Sequence, residues 1–297
     1  MKPYKSKIDL NIINLTEQQS IRYMETKQTK GLNRNTIDKY YTKDNVVELS
    51  LNLVKKYIQI NMDDLIIEPS AGNGSFITGI KSLSNNFRFY DLEPENDEII
   101  QQDYLLYDYS KETFDKIHII GNPPFGRQSS LAIKFIKKSC EFCDSISFIL
   151  PKSFKKDSLK NKFPLDFHLL FETDLPDNSF LVNDVEHDVP CVFQIWQKKS
   201  TNRVISEKLT PLHFEFVKDT ENPDISFRRV GVNAGRIDTN IDGKSIQSHY
   251  FIKFTNGKSI AHNIKKISTI IYEFNNTVGP KSISKQEVIA KFNKVMD

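Results

Sequence analysis

The sequence predicts an α/β fold built on a mostly parallel β-sheet with helices on both faces. Three observations predict it. Short apolar runs alternate with amphipathic ones over residues 36–200, the pattern of strand–helix–strand units. Successive apolar runs end on acids, at Glu68, Asp91 and Asp103. The run Ile117–Ile120 stops at Gly121 and is followed by Asn122-Pro123-Pro124-Phe125, a rigid tetrapeptide where open α/β proteins place their chemistry.

Size and composition bound the rest. A chain of 297 residues holds one large domain plus an extension, or two domains. Its hydrophobic content of 38% suffices for a packed core, which excludes global disorder. Apolar runs stay well below membrane-spanning length, and the opening Met1-Lys2-Pro3-Tyr4-Lys5 lacks the apolar segment of a signal peptide, so a cytoplasmic location is expected. Three cysteines fit reduced thiols. Cys140 and Cys143 have half of a zinc spacing without a matching second pair, so no metal is expected.

Charge is unevenly distributed. Residues 1–62 carry 11 basic and 6 acidic residues (+5), residues 63–200 carry 15 and 22 (−7), and residues 201–297 carry 15 and 10 (+5). Basic flanks around an acidic middle suit a catalytic domain with nucleic-acid-holding ends.

In chain order, residues 1–35 are polar, with room for a short helix near Leu15–Thr26. Thr42 is a plausible N-cap for a helix whose apolar residues recur from Val46 to about Ile60. Next, a strand ends on Glu68 and passes through Pro69-Ser70-Ala71-Gly72-Asn73-Gly74 into a helix that packs Phe76, Ile77 and Ile80. Those glycines let the backbone approach a ligand closely near a helix N-terminus. No Gly-Lys-Ser/Thr follows, so the loop is not a P-loop. The strand Phe87–Tyr90 ends on Asp91, about twenty residues past the glycines, where an acid suits a ribose diol. A third segment finishes at Asp103-Tyr104, an acid beside an aromatic ring. A helix over 129–140 and a buried strand over Ser145–Leu150 follow Asn122–Phe125.

The tetrapeptide carries the chemistry. Pro123 forces Asn122 out of the helical region, and each proline removes an N–H donor. An Asn amide oxygen, an adjacent carbonyl and the Phe125 ring make a receptor for a planar NH2 group. The oxygens accept its N–H bonds and the ring stacks on its plane.

These residues resemble the amino-methyltransferases that use S-adenosyl-L-methionine, most closely the N6-adenine DNA methyltransferases. Asn122, Pro123, Pro124 and Phe125 match the catalytic motif. Glu68, Pro69, Ala71, Gly72 and Gly74 resemble the first cofactor motif, although its glycine pattern is a variant. Asp91 resembles the ribose-binding acid, and Asp103-Tyr104 the pair that holds the cofactor adenine. Tyr41-Thr42 resembles the segment that touches the methionine end of the cofactor, and Asn122 counts among the cofactor contacts as well. The resemblance covers residues 36–200 and implies a Rossmann-like, seven-stranded sheet with an antiparallel edge, its last strands near Phe167–Phe171 and Val189–Trp196. It also implies that the target base is unstacked into the pocket. Between these strands Phe180 is the candidate for a second aromatic against that base.

Basic residues are the candidate substrate contacts: Arg127 after the tetrapeptide, Lys152 within Lys152–Lys156 at a strand end, and Arg228, Arg229 and Arg236 in the C-terminal region, with Lys244 nearby. The organisation expected is a polar segment (1–35), a methyltransferase domain (36–200) and a basic recognition or docking region (201–297). The leading function is methylation of adenine N6 in DNA. RNA purine-amine methylation (adenine N6 or guanine N2) is the alternative, as is an inactive subunit that only holds nucleic acid beside a protein partner. A glutamine-amide methyltransferase would favour Tyr at the fourth position. An NAD-dependent dehydrogenase gives Asn122–Phe125 no role.

Overall fold

The computed structural model describes residues 40–205, 207–272 and 281–296. The expected N-terminal segment, with its helix near Leu15–Thr26, lies outside the described residues.

Seven strands form the main sheet: β2 (Leu65–Glu68), β3 (Asn86–Asp91), β4 (Ile100–Gln101), β5 (Ile117–Gly121), β6 (Ser145–Pro151), β7 (Phe167–Asp174) and β10 (Cys191–Lys198). Their order across the sheet is β4-β3-β2-β5-β6-β10-β7. The pairs within β4, β3, β2, β5 and β6 are parallel, and β10 runs antiparallel to both β6 and β7. The expected sheet with an antiparallel edge is therefore present. Strands β2, β5 and β6 are buried along their whole length, which is why they read as continuous apolar runs.

The chain leaves β2 towards β3 and β4 on one side, then returns to β5 and β6 on the other. The reversal between β2 and β5 opens a crevice beyond their carboxyl ends.

Helices fill both faces. In α1 (Asp44–Tyr57) the buried residues Val46, Val47, Ser50, Leu51 and Val54 form one stripe. That stripe shares a core with α2 (Ile77–Lys81), Ile66, Ile120, Ile149 and Phe193. The other face packs α3 (Ser130–Cys140) through Ala132, Phe135 and Ile136 against Ile119, Phe148 and Trp196. A short α4 (Asp157–Lys160) follows β6. Thr42 is not the cap of α1: Lys43 holds that position without a side-chain capping bond, and the helix ends at Tyr57.

A small sheet was not legible from sequence. The two-residue β1 (Tyr41–Thr42) pairs antiparallel with β8 (Phe180–Val182), which pairs with β9 (Val185–His187). Elements this short give no periodicity to read.

The region after Lys198 has its own core. Strands β11 (Phe214–Val217), β12 (Ile225–Arg228), β13 (Ile237–Asp238) and β14 (His249–Phe254) form an antiparallel sheet in the order β11-β14-β12-β13. Helices α5 (Ile260–Ile267) and α6 (Lys285–Val295) close over Phe214, Ile225, Phe227, Ile252 and Phe292. A capping box between Ser284 and Glu287 starts α6. The cysteines at 140, 143 and 191 are buried and free, and no metal-binding cluster exists among the described residues. Among the described residues no helix is long and apolar enough to cross a membrane.

Candidate functional site

The carboxyl ends of β2, β3 and β5 bring Glu68, Asp91 and Asn122 to the crevice at the strand-order reversal. Asn122 leaves β5 with its amide oriented by bonds from one end. Its Nδ2 donates to the Tyr40 carbonyl and to Thr42 Oγ1, each at 3.3 Å. With the NH2 end held by two acceptors, the amide orientation is fixed by the network. Its Oδ1 is buried and has no hydrogen-bond partner among the described residues. A buried acceptor left unpaired costs about 1–3 kcal/mol, so this atom is primed for a donor.

The Asn122 main-chain carbonyl is not free. It accepts a 3.1 Å bond from Ser70 Oγ, which ties the tetrapeptide to the glycine loop. Local sequence patterns do not reveal this bond, because its donor lies 52 residues away.

The glycine loop is shaped by positive φ at Gly72 (+55°) and Gly74 (+89°). At Gly74 a Cβ would also lie 2.7 Å from Ile77 Cδ1 and 3.0 Å from Asn96 Nδ2. Pro69 and Ala71 are buried beneath the loop, and the Ala71 amide donates to the Tyr90 carbonyl at 2.9 Å. The segment after β3 covers the loop: the Glu95 amide bonds the Gly72 carbonyl at 3.0 Å, and the Tyr41 hydroxyl bonds the Glu95 carboxylate.

Glu68 is fully buried against Gly121, where a Cβ would lie 3.1 Å from Glu68 Cγ. Its Oε2 has no hydrogen-bond partner among the described residues. Burial first, and then the negative charge of Asp91, push its carboxyl well above the usual range. A buried carboxyl without a counter-charge stays protonated, and it takes up negative charge only beside a cation.

Asp91, expected from the sequence as a ribose-binding acid, already holds two backbone amides. Its Oδ2 accepts the Gly72 amide at 2.8 Å and its Oδ1 the Glu93 amide at 2.9 Å. It therefore pins the loop, with one lone pair left on each oxygen. Asp103 uses Oδ1 to cap the single 3-10 turn Tyr104–Leu106 through the Leu105 amide at 2.9 Å. The Tyr104 ring is buried, stacked at 5.4 Å on Phe135, with its hydroxyl 2.8 Å from Ser139 Oγ. Tyr104 is thus a core residue, and its ring presents no face to a nucleoside.

Both aromatic candidates for base stacking are likewise enclosed. Phe125 is 7% exposed and Phe180 is 0% exposed, within the core shared by α1 and α2. Phe180 packs edge-on to Tyr40 at 6.2 Å, because pairing with Thr42 turns it inward. Tyr40 and His187, edge-on at 6.2 Å, are the rings left partly or fully exposed beside it.

Among the basic candidates, Arg127 is exposed in the turn after Gly126. Lys152 is already paired: it and Lys155 each bond Asp174 at 2.9 Å. Lys156 bonds the Ser282 carbonyl at 3.0 Å and Glu287 at 3.3 Å, so this segment docks the C-terminal sheet. Arg229 is packed within the C-terminal sheet. Its guanidinium stacks 5.1 Å above the Tyr250 ring, with a buried Nε. Arg228 is half-buried and Arg236 exposed, both beside a pocket that also includes Lys244.

No protein-family model and no curated protein matches the chain. Among solved structures it is similar to a candidate RNA methyltransferase from Pyrococcus horikoshii (16% identity, 62% of this chain and 99% of that one, TM-score 0.44). It is also similar to the 23S rRNA methyltransferase ErmE (12% identity, 56% and 72%, TM-score 0.42). A third is a type I restriction-modification methyltransferase subunit from Streptococcus thermophilus (12% identity, 84% and 60%, TM-score 0.42). Likeness at this level assigns no substrate to the chain.

Proposed function

We propose that this protein transfers a methyl group from S-adenosyl-L-methionine to the exocyclic N6 amine of adenine in DNA. The observation that carries the reading is the buried, unpaired Oδ1 of Asn122, an acceptor held at the strand-order reversal by Thr42 and Tyr40. An exocyclic amine supplies the missing donor. When its N–H bonds to Oδ1, the nitrogen is held so that its lone pair turns out of conjugation with the ring to act as nucleophile.

The remaining residues fit the cofactor. Glu68 Oε2, buried and unpaired, is an acceptor for the cationic methionine end. The positive φ of Gly72 and Gly74 gives the loop its shape beside that end. The remaining lone pairs of Asp91 and Asp103 suit the hydroxyl and amine donors of the nucleoside. The bound cofactor supplies an activated methyl group, so positioning of the amine does most of the work. The amine nitrogen gains the methyl group as the sulfur–methyl bond breaks with its electron pair left on sulfur. The acidic methylated ammonium that results gives its proton to water, so no strong base is required before transfer.

The test is incubation with tritiated cofactor against separate DNA, RNA and protein pools, followed by nucleoside analysis. Label in N6-methyldeoxyadenosine from the DNA pool is the expected result, absent from an Asn122→Ala variant. Label confined to RNA nucleosides or to protein would overturn the DNA assignment.

A further inference from the structure

A polar pocket of about 370 Å³ opens on the C-terminal sheet, between the end of β12, the 229–236 turn and the 239–248 loop. Arg228, Asn233, Arg236, Asp238, Lys244 and His249 line it. Three cations face one carboxylate, and that carboxylate is already bonded to Lys244 at 2.8 Å. Burial, with the charges of Arg228 and Lys244, holds the His249 pKa below the usual value against its bond to Ser245 and the charge of Asp238.

The arginine is fixed before any ligand arrives. Arg228 Nε donates to the Val230 carbonyl at 2.9 Å and Nη1 to Ser248 Oγ at 3.4 Å. Of its five N–H donors three remain. Arg236 is exposed beside it, and Val232 (88% exposed) and Ile246 (67% exposed) lie on the two segments that bound the pocket. A fixed guanidinium, an exposed second cation and flanking apolar side chains suit a phosphate with its attached sugar.

The pocket is tied to the catalytic edge of the main sheet. Lys156 follows β6, whose carboxyl end neighbours the β5 end that carries Asn122. Lys156 bonds Ser282, and the adjoining strandlike segment pairs with the pocket turn: Val230 bridges Ser282, and the Ile283 amide bonds the Arg229 carbonyl at 2.8 Å.

We infer that the pocket bounded by Arg228, Arg236 and Lys244 binds a backbone phosphodiester of the nucleic acid whose base enters the Asn122 site. This rests on the nucleic-acid methyltransferase reading and adds where the strand is gripped. The phosphodiester is common to DNA and RNA, so the site discriminates between them only through what surrounds the phosphate.

The test uses the full chain and fluorescein-labelled DNA and RNA strands of one sequence, about 20 nucleotides long, enough to span an ordinary single-strand site. Anisotropy is measured across a salt series. Arg236→Gln, Lys244→Gln and Asn233→Asp are compared with Lys258→Gln, an exposed lysine beyond the far end of β14 from His249. Each pocket variant is expected to weaken binding roughly three- to tenfold, and each lost cation to reduce the slope of log K against log salt by about one. Lys258→Gln should change neither, and all variants should bind S-adenosylhomocysteine as the parent does. A loss in the DNA arm alone or in the RNA arm alone still supports the site and identifies its source. Unchanged affinity in the pocket variants, or equal loss in Lys258→Gln, overturns the site. Failure of the methyltransferase reading is separately visible: the parent chain would then bind no S-adenosylhomocysteine.

Discussion

Thr42 and Asn122 lie 80 residues apart in the sequence, and the Asn122 amide donates to the Thr42 hydroxyl at 3.3 Å. The bond joins the segment before α1 to the end of β5 and settles which end of the Asn122 amide turns into the crevice. Thr42 is itself held by pairing with Phe180 in the small sheet. A hairpin remote in sequence therefore sets the direction of an acceptor in the site.

Removing that acceptor's side chain and loosening it should have different costs. Asn122→Ala is expected to lower methyl transfer on the order of 100-fold or more while S-adenosylhomocysteine affinity by calorimetry stays within about twofold. Thr42→Val keeps shape and removes the hydroxyl, so the rate should fall about three- to tenfold, the worth of one hydrogen bond. Equal losses of cofactor affinity and rate in Asn122→Ala would contradict its role at the amine.

Glu68→Gln should stabilise the unliganded protein as pH rises. The folded-state carboxyl titrates well above its usual value because it is buried, and next because Asp91 is near. Such a group gives its full stability below the unfolded pKa and loses it as pH climbs towards the folded one. The variant has no proton to lose. Thermal denaturation should show its advantage over the parent growing from about pH 5 to pH 8, together with weaker binding of S-adenosylhomocysteine. An advantage independent of pH would mean that Glu68 is not buried in its neutral form.

Gly74→Ala should damage the loop by more than strain. The positive φ alone costs roughly 1–3 kcal/mol. Crowding against Ile77 and Asn96 adds to it, whereas at Gly243, with φ +68°, an added Cβ would meet nothing within 4 Å. Gly243→Ala is the matched control. Chemical denaturation should show the larger loss at Gly74, and cofactor affinity should fall only there.

Near the amino ends of β5 and β6, His118 Nδ1 lies 2.7 Å from Ser145 Oγ and Nε2 3.3 Å from Asp64 Oδ2, all buried. Burial lowers the His118 pKa despite Asp64. The folded protein thus resists a proton that the unfolded chain accepts, so stability present above pH 6.5 should decline as pH falls through the folded value. Asp64 has a lowered pKa, held down by its hydrogen bonds against the opposing effect of burial, and adds a second loss in more acid solution. His118→Gln should flatten the first decline in equilibrium unfolding measured from about pH 7.5 to pH 5. A slope equal to the parent's would place the titration elsewhere.

Much of the main sheet was legible because its strands are buried on both faces and its motifs are local. The runs ending at Glu68, Asp91 and Gly121 became β2, β3 and β5, and the edge strands became β7 and β10. The side chains that meet at the site were less legible. Tyr104, Phe125 and Phe180 looked like stacking rings, yet each is in a core, because an aromatic residue in a strand or turn gives the same text whether it faces ligand or protein. Lys152 and Arg229 looked free because neither Asp174 nor Tyr250 is a neighbour in sequence.

The sequence by itself determined the order of strands and helices in the main sheet and the rigid Asn122–Phe125 turn. Apolar periodicity and the fixed φ of proline act within a few residues. Only the tertiary structure decided which polar atoms remain unpaired. Asn122 Oδ1 and Glu68 Oε2 are open, Asp91 keeps half of its acceptor capacity, and Lys152 and the Asn122 carbonyl are paired, because hydrogen bonding is settled by groups that folding brings together from distant positions.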